Sequence, residues 1–183
     1  PADMRLAFVH DVNGVLLGAL NADPALKDGI VGISTLGTGL GFSYAVKGEI
    51  QESPTGSPAR SLWNQPYGEG ILEDYVSRRG ILRTYCRLGG ILSEGEDVKE
   101  IADLARKGDE TALETFRATG RHYAAGAKAV IAEFGITHVF FAGQIAKSFD
   151  LMEEEVSKGL GEGVTVSVLD DIQGTVLIGA ASL

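Results

Sequence analysis

Residues 34–42 read Ser34-Thr35-Leu36-Gly37-Thr38-Gly39-Leu40-Gly41-Phe42, a glycine-rich turn between two apolar runs that favour β-strands. Glycine adopts positive φ angles at little cost and lets the backbone approach a bound anion closely. Backbone amides and the Thr38 hydroxyl could then donate hydrogen bonds to phosphate oxygens. Because a glycine-rich hairpin is more often a plain turn, this stretch alone leaves both interpretations open.

The composition is that of a globular protein with one sizeable core. The chain has 183 residues, of which 44% are apolar and 22% charged. No continuous apolar run has the length that a bilayer requires, so we expect no membrane contact. The sequence starts at Pro1 rather than at Met, with a strand-like segment at residues 5–9. We therefore expect residues 1–183 to be a piece of a longer protein.

Charge and cysteine content argue against several functions. The formal net charge is −9, and the 16 Lys and Arg residues form no long basic stripe, which argues against nucleic-acid binding by this part of the protein. Cys86 is the only cysteine, so internal disulfides and multi-cysteine zinc sites are excluded. A single cysteine also fits the reducing cytoplasm, where we expect the protein to reside.

Apolar periodicity predicts alternating strands and helices. The expected strands are 5–9, 30–36, 40–46, 136–142 and 164–169, and the expected helices are 13–20, 69–85, 98–107, 109–134, 145–160 and 175–183. Prolines and polar residues predict a long connection over residues 51–67. This order indicates an α/β fold with a mixed sheet flanked by helices. Asp11, the Gly37 turn and the Gly143 turn follow strands, where such sheets bind ligands.

Five segments stand in a characteristic order along the chain: residues 10–13, 35–41, 72–77, 104–113 and 139–146. Together they resemble the ROK family of sugar kinases and related repressors, within the actin-like ATPase superfamily. His10-Asp11-Val12-Asn13 resembles the family's NDAN segment, and residues 35–41 resemble its phosphate motif TLGTGIGGG. Residues 72–77 resemble its LExYxS segment, and residues 104–113 resemble the run before its long helix. Residues 139–146 stand where the adenosine-side motif VIGGGVS is found. The resemblance implies an RNase H-like lobe with a helical insertion.

On the sugar side, the resemblance implies roles for three residues. Asp11 would be the general base that takes the proton of a sugar hydroxyl during phosphoryl transfer, although an aspartate here could also cap the following helix. Glu73 would accept hydrogen bonds from sugar hydroxyls, the alternative being a solvated glutamate favoured by the helix dipole. His10 would bond a sugar hydroxyl or tune Asp11, and its alternative role is structural.

On the nucleotide side, the resemblance implies ATP and Mg²⁺ as cofactors of the intact protein. Gly37, Thr38 and Gly39 would contact the ATP phosphates, and Gly143 and Gln144 would lie beside the nucleoside. The DxGGT loop, whose aspartate helps to place magnesium, is absent from this sequence. We therefore expect no metal ligand in this chain and interpret it as the C-terminal lobe, with the N-terminal lobe of the same protein as its partner.

Two departures from the family pattern concern sugar recognition and zinc. The family carries an ExGH segment, whose Glu and His hold the sugar, and then a CxCGxxGC zinc cluster. Residues 51–70 contain neither Cys nor His, so we expect no structural zinc. His10 also replaces the Asn that commonly precedes the catalytic Asp, and Gln144 replaces a glycine.

Three functions remain open from the sequence. The first is an ATP-dependent kinase that phosphorylates a hexose or an N-acetylated amino sugar. The second is a sugar-sensing transcriptional regulator, or a catalytically degenerate kinase-like domain, in which ligand binding shifts a conformational equilibrium. The third is an oligomerisation lobe, in which the helices of residues 69–85 and the long helix after Asp109 support a homodimer through exposed apolar area.

Overall fold

The computed structural model describes residues 10–169, which form a mixed five-stranded sheet with helices on both faces. The sheet has the order β3-β2-β1-β6-β7. Its strands are β1 (Ile30–Leu36), β2 (Leu40–Val46), β3 (Glu49–Ile50), β6 (His138–Ala142) and β7 (Thr165–Val168). A separate hairpin consists of β4 (Pro66–Tyr67) and β5 (Gly70–Ile71). The prediction of an α/β fold with a mixed sheet is confirmed.

The centre of the sheet is the hairpin that contains the glycine-rich turn. β1 and β2 pair antiparallel from Ile30 opposite Val46 to Leu36 opposite Leu40. β6 pairs parallel with β1, and β7 pairs parallel with β6. The carboxyl ends of β1 and β6 therefore meet at one edge of the sheet, which places the Gly37 turn beside the Gly143 turn.

Helices cover the sheet unequally. They are α1 (Asp11–Ala22), α2 (Glu73–Val76), α3 (Arg78–Arg87), α4 (Val98–Arg106), α5 (Glu110–Glu133) and α6 (Glu153–Leu160), with 3₁₀ segments at Pro24–Asp28 and Ile145–Leu151. On one face, α1 buries Val12 and Leu16 against Ile33 of β1. The larger core contains residues of β1, β2, β6 and the helices from α2 to α6, so the helical insertion shares the main core.

The long helix α5 has the capping that its sequence predicts. The Asp109 carboxylate accepts a hydrogen bond from the amide of Ala112 at 2.8 Å, as expected of an N-cap. Gly135 follows the helix with a φ of 65°, the left-handed conformation in which glycine commonly ends a helix. The start and stop signals of α5 are thus local, which explains why they are readable from the sequence.

Three expected elements differ from the structure in their bounds or type. The first helix starts at Asp11 rather than Asn13. The region after residue 69 begins with the short strand β5 before α2 and α3. The helix expected over 145–160 is a 3₁₀ segment followed by α6, with a non-helical Ser148, since apolar spacing alone does not separate these helix types. The strand expected at 5–9 and the helix expected at 175–183 lie outside the described residues.

The connection over residues 51–67 is anchored to the start of α1. Within it, Glu52 and Pro58 form an isolated bridge. The buried Asn13 side chain donates from Nδ2 to Glu52 Oε1 at 2.7 Å and to the Gly56 carbonyl at 3.4 Å. The segment is therefore irregular, as expected, but Asn13 ties it to the helix that carries Asp11.

A buried hydroxyl pair below the turn provides a test of the packing. Ser34 Oγ and Tyr123 Oη lie 2.6 Å apart, and both residues are buried. Burial also raises the pKa of Tyr123. Tyr123→Phe leaves the Ser34 hydroxyl without this partner, so we expect the free energy of unfolding to fall by about 1–3 kcal/mol in urea denaturation. The double variant Tyr123→Phe/Ser34→Ala should lose less free energy of unfolding than the two single variants lose together. A loss equal to that sum would contradict the pairing of the two hydroxyls.

Candidate active site

The glycine-rich turn separates two clefts. The α1 cleft, of about 460 Å³, has His10, Asp11, Trp63 and Glu73 around the turn. The α4 cleft, of about 490 Å³, has Arg78, Asp97, Lys99 and Gln144 on the other side. Gly37 and Thr38 line both clefts. A ligand that contacts the turn can therefore extend into either cleft or connect the two.

The turn itself has donors available for an anion. The Gly37 amide donates to the Gly39 carbonyl at 3.1 Å, which closes the turn. Within residues 10–169, the amides of Thr38 and Gly39 and the Thr38 hydroxyl make no hydrogen bond, and Thr38 is exposed. Successive free amides and a hydroxyl at a tight turn are suited to phosphate oxygens. The phosphate group that the sequence predicts thus fits the residues present.

Asp11 lies at the first turn of α1 with its side chain directed to solvent in the α1 cleft. Its side chain is 90% exposed. Oδ1 accepts a hydrogen bond from the Val12 amide at 2.8 Å and lies 2.8 Å from Nδ1 of His10. In the described part of the chain, Oδ2 has no partner. One carboxylate oxygen is therefore held by the helix start, whereas the other is free to accept a proton.

Glu73 holds the glycine-rich turn from the side of the helical insertion. Its Oε2 accepts a hydrogen bond from the Leu40 amide at 2.9 Å, and its Oε1 accepts one from Arg79 at 3.2 Å. A Cβ atom at Gly39 would lie 2.7 Å from Oε2, so a side chain there would displace the Glu73 carboxylate from the turn. The side chain is 21% exposed. Glu73 is thus a fixed acceptor at the cleft wall rather than a solvated glutamate.

A second contact fixes the other end of the turn. The Arg78 amide donates to the Gly37 carbonyl at 2.9 Å, while the Arg78 side chain donates to both Asp97 oxygens at 2.7–2.8 Å. Burial alone would raise the pKa of Asp97, but hydrogen bonds from Arg78 and from the Val98 amide lower it below its usual value. Asp97 also caps α4 in a capping box with Glu100. The turn is therefore linked to α4 through one ion pair.

Gly143 and Gln144 lie on opposite sides of the turn. Gly143 has a φ of 101°, and a Cβ atom there would lie 2.2 Å from the Leu36 carbonyl oxygen. It lines the α1 cleft, whereas Gln144 lines the α4 cleft. The structure thus divides Gly143 and Gln144 between the two clefts. It nevertheless brings all eight predicted site residues around one turn: His10, Asp11, Gly37, Thr38, Gly39, Glu73, Gly143 and Gln144.

Sequence reasoning missed several residues of these clefts. Trp63, Arg78 and Asp97 line them, yet none stands in a position to which the family pattern gives a role. Arg78 directly follows the motif at residues 72–77, and this adjacency is the one sequence signal that could have placed Arg78 near the site. The contacts of Arg78 with Asp97, 19 residues away, depend on how α3 packs against α4.

Glu73→Gln tests whether this carboxylate holds the turn. Hydrogen bonds to charged groups contribute about 1.5–3 kcal/mol, and glutamine would present either an uncharged oxygen or an amide to Leu40. We expect the Leu40 amide to exchange with deuterium about tenfold faster. Asp74→Asn is the matched control, since Asp74 also contacts Arg79 but bonds Ile71 rather than the turn. Equal exchange at Leu40 in wild type and Glu73→Gln would contradict this role.

Residues 10–169 contain neither a cluster of metal-ligating side chains nor a helix suited to cross a membrane. No three or more His, Cys, Asp or Glu side chains are grouped there so as to hold a metal ion. No described helix is both long and apolar enough to cross a bilayer.

Comparisons with known proteins agree on one family. The model of the ROK family matches residues 67–181. No curated protein sequence matches the chain. Among solved structures, a ROK family glucokinase from Streptomyces griseus, in complex with glucose and AMPPNP, is similar with a TM-score of 0.80 and 20% identity, over 99% of this chain and 68% of that chain.

Two further structures extend the comparison. A ROK hexokinase from Thermus thermophilus is similar with a TM-score of 0.73 and 19% identity, over 94% of this chain and 62% of that chain. A ROK family transcriptional regulator, a homologue of the E. coli MLC protein, has a TM-score of 0.78 and 17% identity, over 94% of this chain and 50% of that chain. The chain therefore spans half to about two thirds of the length of these proteins, and at this identity the likeness shows the fold.

Proposed function

Because this chain belongs to the ROK family, we propose that it forms the C-terminal lobe of an ATP-dependent kinase that phosphorylates a hexose or an N-acetylated amino sugar. The observation that carries the proposal is the α1 cleft. It places the free oxygen of Asp11 in the same cleft as the free amides and hydroxyl of the Thr38 turn. A proton acceptor beside an anion-binding turn is what phosphoryl transfer to a hydroxyl requires.

The chemistry follows from what each group can donate or accept. Oδ2 of Asp11 accepts the proton of the sugar hydroxyl as that oxygen attacks the phosphoryl group. His10, whose Nδ1 contacts Oδ1, keeps the carboxylate oriented and lies beside the hydroxyls of the sugar. Glu73 accepts a further sugar hydroxyl at the cleft wall. A hydroxyl is a poor nucleophile, so removal of its proton and its alignment are the contributions that these side chains make.

The nucleotide side uses the turn and the α4 cleft. Gly37, Thr38 and Gly39 hold the phosphates through amides and the Thr38 hydroxyl, while Gly143 and Gln144 flank the nucleoside. When bound, MgATP supplies the phosphoryl group and neutralises its charge. Because the DxGGT loop is absent from this sequence, we propose that the N-terminal lobe of the same protein places the magnesium ion.

A sugar-sensing regulator is the second candidate, and two observations favour it. The stretch that carries ExGH in the family contains neither His nor Cys here, so the usual sugar-holding pair is missing. One of the similar structures is a transcriptional regulator. In this alternative the α1 cleft binds a sugar, and the response is a shift between conformations rather than catalysis.

Quaternary structure and location complete the proposal. We propose a cytoplasmic homodimer, in keeping with the single cysteine, Cys86. Among the described residues, Ile91 is an exposed large apolar side chain outside both clefts, with 86% of its surface exposed, and it is a candidate for the contact between subunits. Sedimentation of the full-length protein would distinguish a dimer from a monomer.

Sugar-dependent ADP release distinguishes the two functions. The full-length protein that carries this chain is incubated with MgATP and, one at a time, hexoses and N-acetylated amino sugars. ADP release that depends on one class of sugar supports the kinase. Thermal stabilisation by a sugar without ADP release would contradict the kinase and support the regulator.

A further inference from the structure

Trp63 is an exposed aromatic residue at a place where a ligand is expected. It is the only tryptophan of this sequence, and 46% of its surface is exposed. Of the three large apolar side chains that are exposed within residues 10–169, Trp63 alone lines the α1 cleft. An exposed apolar side chain inside a cleft that also contains a few polar groups commonly marks a binding site.

The backbone that carries the ring is held in place. The Trp63 carbonyl accepts a hydrogen bond from the Glu73 amide at 3.2 Å, and the Gln65 amide donates to the Leu62 carbonyl at 3.0 Å. Leu62 is fully buried in the main core. The ring is therefore exposed on an ordered turn rather than on a free loop, so little backbone entropy is lost when it contacts a ligand.

The groups around Trp63 match the chemistry of a sugar ring. A pyranose has apolar C–H faces and hydroxyls at its edge, so it needs a flat apolar surface beside hydrogen-bond acceptors. Trp63 supplies the surface, and the carboxylates of Asp11 and Glu73 are acceptors in the same cleft. Within the described residues, the indole N–H has no hydrogen-bond partner and can donate to a sugar hydroxyl.

We propose that Trp63 is the stacking surface for the pyranose ring and makes the cleft selective for ring sugars over open-chain polyols. The proposal rests on the proposed function, because it takes the α1 cleft as the sugar site. It also accounts for sugar binding without the ExGH pair, since ring stacking replaces part of what that pair supplies. Trp63 is thus a specificity-determining residue that contacts substrate without taking part in proton transfer.

The test compares sugar affinity in variants of the full-length protein. Dissociation constants for glucose and for sorbitol, its open-chain relative, are measured by calorimetry without nucleotide. We expect Trp63→Ala to weaken glucose binding by about tenfold, as loss of an aromatic contact does, and to remove most of the preference for glucose over sorbitol. Trp63→Phe should retain most of the affinity, and ADP binding should stay within about twofold in both variants.

Fluorescence provides a readout that does not depend on catalysis. Glucose should change the tryptophan emission of the wild type, and the change should be smaller in Trp63→Phe. Leu88→Ala is the matched control, because Leu88 is 41% exposed but lines neither cleft, and it should bind glucose as the wild type does.

The outcomes separate the two proposals. Glucose binding that Trp63→Ala leaves unchanged overturns the stacking role, whether or not the protein is a kinase. A melting temperature that falls in Trp63→Ala, with sugar affinity intact, also overturns it and assigns the ring to contact with another part of the protein. Sugar binding that needs Trp63 but produces no ADP release contradicts the kinase and leaves the stacking role standing. A wild type that binds no sugar overturns both.

Discussion

We expect Asp11→Asn to lower kcat for the proposed sugar phosphorylation by about 10²–10⁴-fold, the usual contribution of a general base. Asparagine has nearly the same shape and can still accept the hydrogen bond from the Val12 amide, but its side chain takes no proton from a hydroxyl. The KM for ATP should change little, because Asp11 has its contacts with His10 and Val12 rather than with the glycine-rich turn. Steady-state kinetics of the full-length protein measure both constants.

The matched control for this variant lies at the other end of the same helix. Asp23→Asn removes the same charge and keeps a side chain that can accept from the Ala25 amide, as Asp23 does at 3.0 Å. We expect this control to retain wild-type kcat. Both variants should unfold within about 1 kcal/mol of the wild type, which is the scale of a charge near a helix end. If Asp11→Asn kept the full wild-type kcat, Asp11 would not be the general base.

Gly143→Ala destabilises the protein by about 3 kcal/mol or more, because two penalties add. A φ of 101° is strained for alanine, and the new Cβ atom would lie 2.2 Å from the oxygen, 2.9 Å from the carbon and 3.0 Å from the nitrogen of Leu36. These are backbone atoms of β1, which cannot rotate away. Leu36 directly precedes the turn, so the displaced strand should also lower the affinity for nucleotide.

Gly89→Ala isolates the effect of the clash from that of the backbone strain. Gly89 has a φ of 97°, and its added Cβ atom would meet nothing within 4 Å. We expect the free energy of unfolding of this control to fall only through the strained backbone conformation, by about 1–3 kcal/mol. Urea denaturation gives both free energies. An equal loss in the two variants would show that Gly143 has no close approach to β1.

Local signals explain which parts of the fold are predictable from the sequence. The bounds of β1 and β2 are those expected, since apolar residues flank a glycine turn and the pairing partner is the next segment of the chain. Asp109 and Gly135 likewise mark the ends of α5 through contacts within a few residues. The short strands β4 and β5 have two residues each, too few to produce a periodic pattern.

The site depends on contacts between distant segments, which sequence patterns do not contain. Glu73 reaches the Leu40 amide across 33 positions, and Gly143 packs on Leu36 because β1 and β6 are parallel neighbours. The resemblance suggested Glu73 as a sugar ligand, but its bond to the turn became visible only with the fold. Trp63 has no motif around it, and the role that we propose for it follows from its exposure inside the α1 cleft.

Mass spectrometry of the sugar, after incubation of the full-length protein with MgATP, would detect the phosphoryl transfer itself. We propose that the glycine-rich turn and Asp11 share one cleft because together they transfer a phosphoryl group to a sugar hydroxyl. We therefore expect a sugar phosphate monoester with the wild type and none above background with Asp11→Asn. A wild type that binds both sugar and nucleotide but forms no ester would contradict this proposal.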